Sequence, residues 1–187
     1  MDSADVNNDL EHVLFTSGQI ADRVAEMAAE IDRDYAGREP LLIGVLNGAV
    51  MVMSDLARAM HTHLTMDWMA VSSYGTGTKS SGVVRILKDL STDIHGKDVL
   101  IVEDIVDTGL TLDYLKQNLA SREPASIEIA ALFRKPASLT VDVDVKYLGF
   151  DIPNEFVVGY GLDYAGRYRN LVDVATLKPS VYTHAED

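Results

Sequence analysis

Apolar runs of strand length recur along this chain with helical patterns between them, and that alternation leaves few folds open. LLIGVLN, starting at Leu41 after Pro40, has the length of a buried strand. DVLIVED, starting at Asp98, reads as a central buried strand, and SIEIAALF, over 126–133, as the next one. LTMDWMAVSS, over 64–73, alternates like a strand, VVRIL resumes one at Val83, and VDVDVKYLGF, over 141–150, reads as a further one. Residues 17–37 predict a first helix with Ile20, Val24, Met27 and Ile31 on one face, Ser17 as N-cap and Gly37 as C′ residue. An Asn47-Gly48 turn opens a second helix with Val52, Met53, Leu56 and Met60 inward; a third, after Thr108, keeps Leu112, Leu115 and Leu119 together. His95-Gly96-Lys97 reads as a turn, and the Gly, Ser and Thr of YGTGTKSSG as a mobile loop. Strands alternating with helices imply parallel crossovers, so the expected class is α/β: an open twisted, mainly parallel sheet flanked by helices. The C-terminal part, with FVVGYGLDYAGRYRNL, lacks helical periodicity and reads as a cap.

The length of 187 residues suits one domain with some elaboration, and 47% hydrophobic content suffices for a sizeable core. The absence of cysteine excludes disulfides, thiolate metal sites and thiol catalysis, and fits a reducing cytoplasm. The acidic, polar start MDSADVNNDLEHV is the opposite of a signal peptide. The longest apolar run, over 40–53, is broken by Gly44, Asn47 and Gly48 and is too short to span a bilayer. A cytoplasmic protein without a membrane partner is therefore expected. A formal net charge of −13 weighs against a nucleic-acid partner, because phosphate neutralisation needs clustered Lys and Arg. An anionic ligand would need local help from backbone amides, a few placed cations or a divalent metal. The five histidines show no ligand spacing; His61 and His63 are expected to face solvent near a helix end.

One stretch stands out chemically. VLIVEDIVDTGLTL, from Val99, begins as a buried strand, ends as a helix start, and holds Glu103, Asp104 and Asp107 just before Thr108-Gly109. Ligands of open α/β sheets bind beyond the carboxyl ends of the strands, and a helix N-terminus with its unpaired N–H groups is a ready anion site. Gly109 permits close backbone approach, and Thr108 and Thr111 add hydroxyl donors. The acids beside them suit sugar hydroxyls or metal-bound water. Capping the helix and favouring its dipole would account for one acid; three between an all-apolar strand and Thr-Gly point to a site. Asp107-Thr108-Gly109 also matches the aspartic-protease triplet, but that chemistry needs two triplets, or a dimer, on an all-β frame. A phosphoacceptor receiver domain would spread its acids over separate strands.

The run from Leu100 to Gly109 resembles the phosphoribosyl-pyrophosphate signature of type I phosphoribosyltransferases: an apolar strand, two acids, two apolar residues, then Asp-Thr-Gly. Other segments narrow the resemblance to the hypoxanthine-guanine branch. LNGAVMVMSDLAR resembles its pyrophosphate loop and following helix, SSYGTG its lid, FRKPAS its purine-reading lysine and GFDIPNEFVVGYGLDYAGRYRNL its C-terminal hood. The resemblance covers about residues 14–174. It implies a single domain over 1–187, with a core over about 38–150 and a small hood from the terminal segments, about 1–37 and 151–187. The implied reaction joins a 6-oxopurine, hypoxanthine or guanine, to phosphoribosyl pyrophosphate, with Mg2+ as cofactor and nucleoside monophosphate and pyrophosphate as products.

The resemblance also implies roles. Glu103 and Asp104 take the ribose hydroxyls. Asp107 sits by purine N7 as general acid/base, and with Thr108, Gly109, Leu110 and Thr111 it borders the 5′-phosphate. Leu46, Asn47 and Gly48 meet pyrophosphate through backbone amides, with a cis peptide before the middle residue in relatives; Arg169 reaches the same group. The family often carries a basic residue where Asn47 stands, so this chain lacks a side-chain cation there. Lys135 donates to purine O6, Phe156 stacks on the base and the Val157 backbone reads its edge. Asp163 borders the purine and positions Mg2+ chiefly through bound water, with Glu103 and Asp104 as further metal candidates. Ser73, Tyr74 and Gly75 open the lid. A homo-oligomer, dimer or tetramer, is expected by analogy. The alternatives are a regulatory relative that binds RNA or DNA, which would need a basic face, and a phosphoribosyltransferase for xanthine or adenine; Lys135 argues against adenine.

Overall fold

The computed structural model describes residues 1–74 and 83–183. Its main sheet has six strands, β2 (Leu41–Leu46), β3 (Thr65–Tyr74), β4 (Val83–Lys88), β5 (Asp98–Val106), β6 (Ser126–Arg134) and β7 (Tyr147–Asp151), in the order β4-β3-β2-β5-β6-β7. All neighbours pair in parallel except β3 with β4, which is antiparallel, so the sheet is mainly parallel as expected. The apolar runs have a direct cause. Leu42, Leu100, Val102, Ala130 and Leu132 pack toward α1 (Ser17–Asp34) and α2 (Val50–Ala59). Leu41, Ile43, Val99, Ile101 and Ile129 pack toward α3 (Leu110–Ala120) on the opposite face. Both faces of the central strands are covered, so both sets of alternating positions are apolar along their covered middle stretches.

The helices follow their predicted faces. Ile20, Val24, Met27 and Ile31 of α1 are buried, as are Val52, Met53 and Leu56 of α2 and Leu112, Leu115 and Leu119 of α3. The cap of α1 is a correction: Thr16, not Ser17, accepts from Gln19 N–H, and Gln19 returns the bond to Thr16 N–H. That reciprocal capping box satisfies two otherwise unpaired donors. At the other end α1 stops at Asp34, and Gly37, with φ +76°, lies in the turn beyond. The expected strand over 141–150 is also shorter, because β7 covers only Tyr147–Asp151. Upstream, Thr140 and Val141 donate their N–H groups to Thr108 O at 3.0 and 3.2 Å, while Val141, Val143 and Val145 pack toward α3. The alternation there reflects packing under the Thr108 turn. His61 and His63 are exposed.

A second, three-stranded antiparallel sheet runs β1-β9-β8, from β1 (Leu10–Phe15), β8 (Val157–Val158) and β9 (Val174–Leu177). Leu10, Val158, Tyr168, Leu171, Ala175 and Leu177 form its core. A short helix, α4 (Pro179–Tyr182), follows. This sheet joins the two ends of the chain and stands over the carboxyl ends of the main strands. No helix among the described residues is long and apolar enough to cross a membrane.

Candidate active site

The carboxyl ends of β2, β5 and β6 open into a cavity of about 330 Å3, closed on its far side by the small sheet and the 159–171 loop. Gly48 follows β2, Asp104, Ile105 and Asp107 come from the end of β5 and the turn after it, and Lys135 follows β6. Phe156, Val157, Leu162, Asp163 and Arg169 complete the wall. A smaller hollow of about 90 Å3 adjoins it, lined by Glu103, Ile105, Asp107, Thr108, Gly109 and Thr111 among others.

Successive residues of a strand point to opposite faces, and this separates the paired acids. Asp104 turns to the larger cavity and Glu103 to the smaller one. Asp104 Oδ1 accepts from Ile105 N–H at 2.8 Å. Burial pushes its carboxyl up to about 6, against the downward pull of that N–H and of the Arg169 charge. Burial, and then the neighbouring Asp104 charge, push Glu103 well above the usual carboxylate range. Glu103 Oε2 is buried without a hydrogen-bond partner. A Cβ on Gly48 would stand 1.7 Å from Asp104 Oδ2, so only glycine lets the turn after β2 lie against this acid. The Leu46–Asn47 peptide entering that turn is cis.

The Thr108 turn makes the floor of the smaller hollow. Gly109, at φ +82°, is the N-cap of α3, a left-handed position that suits a residue without Cβ, and a Cβ would meet Val141 O at 2.7 Å. Thr108 Oγ1 accepts weakly from Leu110 N–H at 3.4 Å. The remaining N–H groups of the first turn of α3 have no intrahelical acceptors and, with Thr111, can meet an anion. Thr140 Oγ1 adds a third bond to Thr108 O at 3.1 Å, fixing the turn from below.

Lys135 is a buried lysine. Its Nζ lies 3.7 Å from Asp107 Oδ2, while the Asp107 side chain is 55% exposed toward the opening. An ammonium and a carboxylate thus share one side of the larger cavity. Phe156 lines the same cavity, backed by Tyr182, stacked at 5.3 Å between ring centroids, and by Tyr164, edge-on at 5.5 Å. Asp163 Oδ1 pairs with Arg169 Nη2 at 2.6 Å, and Asp163 Oδ2 accepts from Gly166 N–H at 2.7 Å. Arg169 Nη1 donates to Gly161 O at 2.6 Å, so the guanidinium is held at the cavity wall.

The structure brings Gly48, Asp104, Asp107, Lys135, Phe156, Val157, Asp163 and Arg169 together in one cavity, and Glu103, Thr108, Gly109 and Thr111 in its neighbour. Leu46 and Asn47 border the first through the turn that carries Gly48, while Leu110 opens α3. Ser73 and Tyr74 end β3, with backbones opposite Val84 and Val83; Gly75 and the rest of the expected lid lie outside the described residues. Sequence reasoning missed Ile105, which borders both hollows, and Leu162. Strand periodicity at the end of β5 could have pointed to Ile105; Leu162 sits in an irregular loop with no such signal.

Among the described residues no group of three or more His, Cys, Asp and Glu could hold a metal by itself. The hard carboxylate oxygens of Asp104 and Asp163 at the wall fit a Mg2+ that keeps waters and shares substrate phosphates, while Glu103 faces the smaller hollow.

A phosphoribosyl transferase domain matches residues 14–165. A hypoxanthine-guanine phosphoribosyltransferase from Mycobacterium bovis is 55% identical over 180 residues, covering 93% of this chain and 89% of that protein. One of the same name from Streptococcus agalactiae is 48% identical over 178 residues, covering 95% of this chain and 99% of that one. The crystal structure of a hypoxanthine phosphoribosyltransferase from Staphylococcus aureus superposes with a TM-score of 0.91 at 48% identity, covering 95% of this chain and 96% of that one. With the signature at the end of β5, the cradle at α3 and these matches in agreement, the chain belongs to the phosphoribosyl transferase domain family.

Proposed function

We propose that this protein is a purine salvage enzyme that transfers the 5-phosphoribosyl group of phosphoribosyl pyrophosphate to hypoxanthine or guanine. The observation that carries this reading is the juxtaposition of a base-sized cavity, lined by both an ammonium and an aromatic ring, and a neighbouring hollow at the first turn of α3 that can take an anion. The purine lies against Phe156, with Lys135 donating to its 6-oxo group; an ammonium has no acceptor to offer an adenine amino group. The 5′-phosphate sits on Thr108 to Thr111, the ribose between Asp104 and Glu103, and the pyrophosphate between the Leu46–Gly48 turn and Arg169.

In the reaction the bond from the anomeric carbon to the pyrophosphate oxygen breaks and a bond to the purine ring nitrogen forms. Carboxylates on the ribose side place negative charge near the cation developing at that carbon, and Arg169 takes part of the charge of the departing pyrophosphate. Asp107 receives the proton that the purine gives up. Mg2+, when bound with the donor, would neutralise pyrophosphate charge, and of the expected candidates Asp163 and Asp104, which share the larger cavity, would hold it, Asp163 chiefly through water. The cysteine-free chain is suited to the cytoplasm, and a dimer or tetramer is the assembly we infer from the family.

Asp107→Asn tests the assignment. The variant should fold with an unchanged melting temperature and lose on the order of 10²–10⁴ in turnover of hypoxanthine. Near-normal turnover would remove the proton-transfer role, whereas a lower melting temperature with turnover per folded molecule kept would make Asp107 a structural partner of Lys135 only.

A further inference from the structure

The 159–171 loop carries Leu162, Asp163 and Arg169 into the cavity, and its own N–H groups bond back within the loop. Gly159, Tyr160 and Gly161 take φ values of +101°, +49° and +98° in succession. Glycine tolerates that region; a tyrosine between two such glycines does so at a cost and needs an external restraint. Tyr160 packs against the core on one side, and on the other lies a mainly apolar cavity of about 410 Å3, bordered by Met51, Asp55, Tyr160, Arg169, Leu171 and Val172.

A polar restraint from outside the loop is a side-chain bond to α2. Tyr160 Oη donates to Asp55 Oδ2 at 2.5 Å, and Asp55 is itself steadied by Arg58, whose guanidinium meets Oδ1 one turn along the helix. The next peptide links this anchor to the site. Gly161 N–H donates to Arg169 O at 3.0 Å, and Gly161 O accepts from Arg169 Nη1 at 2.6 Å. Tyr160 N–H donates to Leu171 O at 2.8 Å, and Gly161 packs so tightly on the turn after β2 that a Cβ would meet Gly48 O at 2.2 Å. A displacement of Tyr160 would therefore move Arg169, and with it Asp163, relative to the turn that ends β2.

We propose that Asp55 and Tyr160 are positioning residues. Their hydrogen bond latches the 159–171 loop to α2 and sets Arg169 against the Leu46–Gly48 turn, so that the two together grip the pyrophosphate end of the donor. The inference rests on the functional reading above. It assigns the latch to the donor half of the site and leaves the purine contacts of Lys135 and Phe156 to other supports, since Lys135 is held behind β6 and Phe156 by Tyr164 and Tyr182.

The test is a double-mutant cycle with Tyr160→Phe, Asp55→Asn and the double variant, following nucleotide formation from hypoxanthine with Mg2+ present. Tyr160→Phe should raise the KM for phosphoribosyl pyrophosphate about tenfold while the KM for hypoxanthine stays within about twofold. Asp55→Asn, whose amide oxygen still accepts the phenol proton, should have the smaller effect. The double variant should match Tyr160→Phe alone, because one bond can be lost only once. Calorimetric titration with Mg2+-pyrophosphate should show the same order of weakening without recourse to turnover. Additive effects, equal rises in both KM values, or unchanged donor affinity in folded variants would overturn the latch. A wild type that forms no nucleotide would instead overturn the functional reading. If Tyr160→Phe does not fold, Asp55→Ala, which removes the acceptor, decides by its two KM values, and unchanged donor affinity in it overturns the proposal.

Discussion

Asp104 shows how a single side chain can serve a site at the expense of the fold. It sits at the end of a buried strand, pressed on Gly48, with its carboxyl pushed up to about 6 by burial from a usual value of 3.8. Between those two values the folded chain binds more protons than the unfolded one, so stability falls as pH rises, and the loss is complete above the folded value. Asp104→Asn keeps an oxygen for Ile105 N–H and has no proton to lose. Without substrate or metal it should therefore melt at a higher temperature than the wild type at pH 8, with the difference shrinking toward zero at pH 4; melting curves at the two pH values decide, and an equal difference at both would show that burial of the charge is not the cause. This residue was legible from its place beside Glu103 at the end of an apolar run. What the run did not suggest was that the two acids look into different hollows, although the two-residue period of a strand requires it once β5 is seen to continue to Val106.

At the scale of elements, the turns matter more than the strands they end. The turn after β2 and the turn after β5 meet where Gly48 lies on Asp104, and a methyl group there has no room. Gly48→Ala should push the two turns apart and reduce kcat/KM for phosphoribosyl pyrophosphate at least about tenfold, with a drop in melting temperature of several degrees. Kinetics beside a thermal melt would check this, and a fully active variant would show that the turns need not touch. The central strands and the three long helices were readable from apolar spacing because each buries a continuous face. β1 was not: its burial pattern has only Leu10 fully inside, and its pairing with β9 joins segments about 160 residues apart, which no local pattern reports. The 141–146 segment failed in the opposite sense, since its alternating valines pack beneath the Thr108 turn without forming a ladder.

The whole molecule is a mainly parallel sheet that supplies three strand ends, with a small terminal sheet standing over them. The main sheet supplies the Thr108 turn and the acids, the segment standing over it supplies Phe156, Asp163 and Arg169, and the larger cavity is lined from both sides. Part of this was legible in motif order, because the residues that meet in the cavity stand in the chain in the order of the family they resemble. The Tyr160–Asp55 bond, which ties the 159–171 loop to α2, has no such trace. The most direct test of the account is the rate of nucleotide formation by the purified protein with phosphoribosyl pyrophosphate and Mg2+, with hypoxanthine, guanine, xanthine and adenine supplied in parallel. The account predicts monophosphate from hypoxanthine or guanine and none from adenine; adenine as the preferred base, or no nucleotide from any of the four, would contradict it.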